Sequence, residues 1–236
     1  MHVPDGFLDA PTSAATAAVS VAAVAVCVRG ARRELDERTA PMAGLVAAFI
    51  FAVQMLNFPV AAGTSGHLLG GTLAAILVGP YTGALCVAVV LAVQALLFAD
   101  GGLTAIGTNV LLMAVTTVVV GYAFFVLLSR VLPRTRSSIV GASFVAALVS
   151  VPASSLAFVG LYAFGGAADI PLDTLAGAMV GVHVLIGIGE ALITAATVSS
   201  VLAVRPDLVR GARGLLPAAD LAPASTVSAT TGGASS

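Results

Sequence analysis

Charge in this chain sits between its apolar stretches and hardly ever inside them. Apolar runs recur at 12–28, 41–58, 62–79, 82–98, 104–129, 138–164 and 174–204, and Glu190 is the one Asp, Glu, Lys or Arg that any of them contains. Each run approaches the length of about 20 residues that a helix needs to cross a hydrocarbon core. A water-facing surface usually takes about a quarter of a chain as charged residues; here the figure is 9%. The pattern predicts an all-α, polytopic transmembrane bundle of seven helices. The run at 62–79 is the weakest, because Gly63, Gly66, Gly70 and Gly71 crowd its start, and a re-entrant loop is the alternative.

The placement of arginine argues for seven crossings. All ten basic residues are Arg, in three clusters: Arg29, Arg32, Arg33 and Arg38; Arg130, Arg134 and Arg136; Arg205, Arg210 and Arg213. With seven spans and the N-terminus outside, every cluster faces the cytoplasm, as the positive-inside rule prefers, and the C-terminus is cytoplasmic. Without a crossing at 62–79 the middle cluster is stranded outside. The expected domains are a seven-helix unit over 1–205 and a mostly disordered cytoplasmic tail over 206–236, rich in Ala, Ser, Thr and Gly from about 214. The start has no basic region or cleavage signal of a secretory leader. With no Lys, the chain lacks the P-loop lysine, so no nucleotide hydrolysis of that kind is expected in it. No basic face suits a nucleic acid.

The chemistry is expected at the first two residues. In Met1-His2 the α-amine, the His2 amide nitrogen and an imidazole nitrogen can close fused chelate rings on one metal ion, leaving one corner of a square open. Amine and amide must shed protons to bind, so affinity should rise with pH. A bulky second residue favours retention of Met1. Pro4-Asp5-Gly6 can turn the terminus back over the bundle. His67, in GTSGHLLGG (63–71), falls on the same outer face and is the candidate fourth donor. Four nitrogens in a plane suit Ni(II), Co(II) or Cu(II) better than Zn, which prefers a tetrahedron, or Mg and Ca, which take oxygens.

Other polar residues cluster at the same depth. Gln54, Asn57, Thr64, Ser65, Gln94, Thr108 and Asn109 occupy the outer third, and the echo of AVQMLNF (52–58) in AVQALLF (92–98) puts Gln54 and Gln94 at matching heights. They can serve as interhelical hydrogen-bond glue or as a layer that orients His67. His183 and Glu190, two turns apart on one face, can pair with each other or couple transport to protons. Asp100 can approach the metal entrance, but helix capping is the expected role. Small residues recur every fourth position at Ala14, Ala18 and Ala22 and at Gly44, Ala48 and Ala52, offering close-packing faces to the bundle or to a partner.

The segments MHVPDGFLDAP, AAFIFAVQMLNFPV, GTSGHLLGG, LAAILVGP, FADGGLTAIGTN and HVLIGIGEALIT, in that order from residue 1 to about 205, resemble the metal-binding membrane component of energy-coupling-factor transporters for cobalt and nickel, the CbiM/NikM family. The resemblance implies a non-enzymatic, multi-pass component of a bacterial plasma membrane that captures Co(2+) or Ni(2+), with cobalt favoured. It also implies partners: a transmembrane coupling protein, two ATP-binding cassette ATPases and often a small additional membrane subunit. The ion is expected on Met1, His2 and His67. Nothing after 205 is apolar enough to be that extra subunit. The rival reading is a proton-coupled secondary carrier using His183 and Glu190. An intramembrane enzyme is weaker still, since no H-E-x-x-H pair exists.

Overall fold

The computed structural model describes residues 1–37, 39–61 and 64–222, with side chains at 58–65 outside the description. Among the described residues seven helices run in order: α1 (Ala10–Ala31), α2 (Ala40–Gln54), α3 (Gly71–Val78), α4 (Pro80–Leu97), α5 (Ile106–Val131), α6 (Arg136–Gly165) and α7 (Leu172–Val204). Between α2 and α3 lies an antiparallel hairpin, β1 (Phe58–Ala61) and β2 (Thr64–Gly66), in the register Phe58 to Gly66.

Local chemistry sets the helix starts. The Asp9 side chain accepts the Thr12 N–H at 2.8 Å to begin α1, and Thr135 does the same for Ser138 at 3.2 Å to begin α6. Pro in the first turn opens α2 and α4, where its missing N–H costs nothing. Within α5 the turn widens to a π-helix over Val110–Thr116, and Ser154 donates to the Leu112 carbonyl there at 2.7 Å.

Five of the helices are long and apolar enough to cross a membrane. The other two correct the sequence-based spans. α2 stops at Gln54 after 15 residues, and α3 has only eight, all of them buried. At 1.5 Å per residue α3 covers about 12 Å, far short of a hydrocarbon core of about 30 Å. The stretch 62–79 therefore yields a short buried helix preceded by hairpin and loop. Irregular backbone is tolerated at membrane depth only where protein surrounds it, and α3 packs against α2, α4, α5, α6 and α7.

Outward-facing positions are apolar, as lipid requires: Leu97, Val131 and Phe164 are all largely exposed. Polar ties join helices inside. Thr16 and Thr108 hydroxyls meet at 2.7 Å, Ser20 donates to Gly107 O at 2.6 Å, and Thr72 donates to Ser150 at 2.8 Å. Such bonds average about 0.6 kcal/mol each. Both small-residue stripes, at Ala14, Ala18 and Ala22 and at Gly44, Ala48 and Ala52, face outward.

The two ends of the bundle differ in charge. α1 leads from Asp9 to Arg29, Arg32 and Arg33, and α4 returns from beside Glu34, whose carboxylate accepts the Thr82 N–H at 2.7 Å. Arg210 donates to the Glu34 carbonyl at 3.0 Å and Arg136 to that of Asp220 at 2.8 Å. The described arginines thus share one end; Arg38 lies outside the described residues. Residues 206–221, the start of the expected mostly disordered tail, contain three short 3-10 turns, and Val209 and Ala212 are fully buried. Gly211 rests against Phe125, so apolar contact orders this segment. The remainder of the expected tail, 223–236, lies outside the described residues.

Candidate metal site

The N-terminal nine residues form a hook at the end opposite the arginines. A turn closed by Phe7 N–H to Pro4 O at 3.4 Å reverses the chain, with Gly6 at φ +74°. Two anchors hold it. At one, Asp9 N–H bonds to Gly165 O at 2.7 Å and Phe7 stacks on Phe158. At the other, Asn109 closes a two-way pair with Val3: its Oδ1 accepts the Val3 N–H at 2.7 Å and its Nδ2 donates to the Val3 carbonyl at 3.2 Å. Gly102 N–H also reaches that carbonyl at 2.9 Å. Side chains at 101 and 102 would obstruct the hook: a Cβ on Gly102 would stand 2.4 Å from Asp5 N, and Gly101 has φ +93°. Asp5 accepts both the N–H and hydroxyl of Thr104, which holds its carboxyl below the usual range.

Met1 and His2 are thereby driven inside, at 1% and 4% exposure. Burial pushes the Met1 amine down to about 4, against a smaller opposing pull from Asp100. The amine is thus neutral near pH 7, its lone pair free to bind.

His2 and His67 come together as the sequence predicts. His2 Nδ1 and His67 Nε2 are 3.1 Å apart, with ring centroids at 4.6 Å. Their other nitrogens each face an oxygen: His67 Nδ1–H donates to Leu68 O at 2.7 Å, and His2 Nε2 lies 3.2 Å from Gln94 Oε1. Two imidazole nitrogens therefore converge on one point. A carboxylate joins them, for Asp100 Oδ1 stands 3.1 Å from His2 Nδ1. The hydrogen bond with His2 holds the Asp100 carboxyl below its usual range, and Asn57, which donates to Asp100 Oδ2 at 3.1 Å, adds to this. Asp100 does not cap α5, whose first turn has no side-chain cap. This is the residue for which sequence reasoning expected another role; the glycine pair after it, which lets the 100–104 loop press on the hook, is the signal that could have found it.

The loop carrying His67 is clamped from beneath. Glu190 accepts the Leu69 N–H at 2.6 Å and the Gly70 N–H at 3.0 Å, one to each oxygen, and Gln54 donates to Leu69 O at 2.7 Å. Glu190 and His183 do not pair with each other. His183 Nδ1–H donates to Met179 O at 2.7 Å, and its buried Nε2 has no partner among the described residues. Gln54 and Gln94 both reach the site fully buried, one below His67 and one behind His2. Thr108 instead ties α5 to α1. The side chains of Thr64 and Ser65 lie outside the described residues.

Comparisons with known proteins agree with this architecture. Residues 2–208 match the family described as the cobalt uptake substrate-specific transmembrane region, CbiM. A Haloquadratum walsbyi protein named for metal transport is 41% identical over 209 residues, covering 89% of this chain and 93% of that protein. A fused nickel transport protein of Archaeoglobus fulgidus is 39% identical over 89% of this chain and 68% of its own length. The cobalt transport protein CbiM of Sorangium cellulosum is 32% identical over 89% of this chain and 94% of its own. Among solved structures, a truncated transition metal transporter superposes with a TM-score of 0.79 at 31% identity, covering 86% of this chain and 99% of that one. With five helices able to cross a membrane, this is a multi-pass membrane protein. The chain belongs to the CbiM family of cobalt-uptake substrate-specific transmembrane regions, a transport component and not an enzyme.

Proposed function

We propose that the chain captures Co(2+) or Ni(2+) as the substrate-binding component of an ATP-driven energy-coupling-factor importer. The ion takes four nitrogens: the Met1 amine, the His2 amide, His2 Nδ1 and His67 Nε2. The observation that carries this reading is the approach of the two imidazole nitrogens to 3.1 Å. Metal–imidazole bonds of about 2.0–2.1 Å meeting at a right angle put their nitrogens about 2.9 Å apart. A small closure suffices. Gln94 and Leu68 act as partners that orient the rings. The charge also balances. A dication bound to one deprotonated amide keeps a single positive charge, and Asp100 beside His2 Nδ1 offsets it.

The reading places the hook outside and the arginine end in the cytoplasm, following the positive-inside rule. ATP hydrolysis then belongs to separate subunits: two ATP-binding cassette proteins acting through a transmembrane coupling protein, with a small additional membrane subunit. Relatives named for nickel and for cobalt support both ions; general likeness favours cobalt. The proton-coupled alternative is less well supported, because both Glu190 oxygens already hold backbone N–H groups.

The test is a one-residue extension before Met1, which moves the amine out of the chelate. Metal analysis of the purified chain should find one tightly held ion in the native form and none in the extended form. Equal retention by both would overturn the four-nitrogen site, as would unchanged retention in His67→Ala.

A further inference from the structure

Two cavities adjoin at the arginine end. One, of about 420 Å³, is an apolar groove between α1 and α5, walled by Val26, Val119 and Ala123. The other, of about 400 Å³, lies among Arg29, Arg33, Arg210 and Glu34. Val26 and Tyr81 line both. The Tyr81 ring crosses directly over α1 at Gly30, where a Cβ would stand 2.3 Å from its Cγ, so only glycine admits it. Tyr81 is 43% exposed, a placement typical of aromatic residues at the membrane–water boundary.

The charges in the upper pocket are not balanced. The guanidinium groups of Arg29 and Arg33 are exposed and make no hydrogen bond or ion pair among the described residues. Arg210 spends Nη1 on the Glu34 carbonyl at 3.0 Å. The one carboxylate present, Glu34, is 6% exposed and turned to the Thr82 N–H. Three cations therefore face one inward-turned anion at the mouth of a groove that opens to acyl chains.

We propose that this groove and pocket hold one anionic phospholipid, its phosphate on Arg29, Arg33 and Arg210 and an acyl chain beneath Tyr81. Guanidinium forks match phosphate oxygens in geometry and charge, and basic pockets between spans on the cytoplasmic side are suited to anionic head groups. Snorkelling into the general head-group layer accounts for a lone arginine. It does not account for an apolar groove ending under three of them. A helix from a partner protein would have to bring acidic side chains to the hydrocarbon boundary to satisfy the same arginines.

The full chain, purified in detergent, is titrated with phosphatidylglycerol, phosphatidylcholine or inorganic phosphate and read by native mass spectrometry. One phosphatidylglycerol should be retained at about tenfold lower concentration than phosphatidylcholine, and Arg29→Gln with Arg33→Gln should erase that preference. Ala123→Phe, which fills the groove, should lower retention of both lipids. Both arginines are exposed, so their replacement reads the site even if the groove variant fails to fold. Equal retention of the two lipids by the native chain, or full displacement by inorganic phosphate, overturns the proposal. So does a cross-link from Ala123→Cys to a partner polypeptide in the assembled complex, which would give the groove to protein.

Discussion

At the scale of single residues, the candidate site is governed by what occupies the far side of each ring. With His67 Nδ1 and His2 Nε2 committed to Leu68 O and Gln94 Oε1, only the facing nitrogens remain for an ion. In the proposed site, Asp100 is the charge beside these nitrogens. Asp100→Asn should lower ion affinity by about 10- to 100-fold, in the range for groups that support metal ligands. Calorimetric titration on the folded protein measures this, and unchanged affinity would remove Asp100 from the account. The buried amine gives a second expectation. Its value of about 4 against 8.0 when free means that the folded chain binds fewer protons than the unfolded one between those limits. Seating of the hook therefore gains stability as pH rises through that window and loses it as pH falls. Between pH 7 and 8 the amide alone still has a proton to give, so the ion's association constant should rise about tenfold per pH unit. A slope near a hundredfold marks an amine that is still protonated before the ion arrives. The histidine pair was legible in the sequence because so few donors of that kind exist there. Asp100 was not, since its role depends on a loop folding back across residues nearly a hundred positions away.

At the scale of elements, apolar run length and charge give α1 and α4 to α7 close to their true extents. The helix within 62–79 is shorter than its apolar run for a physical reason. Its residues are apolar because protein surrounds them, and composition does not distinguish that from immersion in lipid. Within the expected tail, the segment 206–221 is held by a few buried residues such as Val209 and Ala212, which an overall composition does not single out. Glu190 shows how α7 serves the site without touching it. Glu190→Gln puts an amide NH2 against a backbone N–H, leaving a buried donor unpaired at a cost of about 1–3 kcal/mol. The His67 loop should loosen, and ion retention should fall about 10- to 100-fold with helical circular dichroism unchanged. Retention equal to the native chain would make this clamp incidental to binding.

At the scale of the whole molecule, the bundle separates two kinds of polar chemistry by its full length, with the hook, the histidine pair and Asp100 at one end and the described arginines at the other. No relay of paired acid and base groups joins them through His183 and Glu190, which bond to different neighbours. Vesicles containing this chain without ATPase partners should accumulate no cobalt or nickel under an imposed proton gradient. Accumulation that collapses with the gradient would favour a secondary carrier. The outward-facing small-residue stripes on α1 and α2 leave two smooth flanks on this bundle.

The brevity of α3 bears on how the protein is made. Eight residues offer an insertion machinery too little hydrophobic length to retain in the bilayer by themselves. Their place is secured only when the later helices have closed around them, and the same closure brings Glu190 beneath the His67 loop. On the proposed reading, a nascent chain has no complete site for the ion until its last helix is in place.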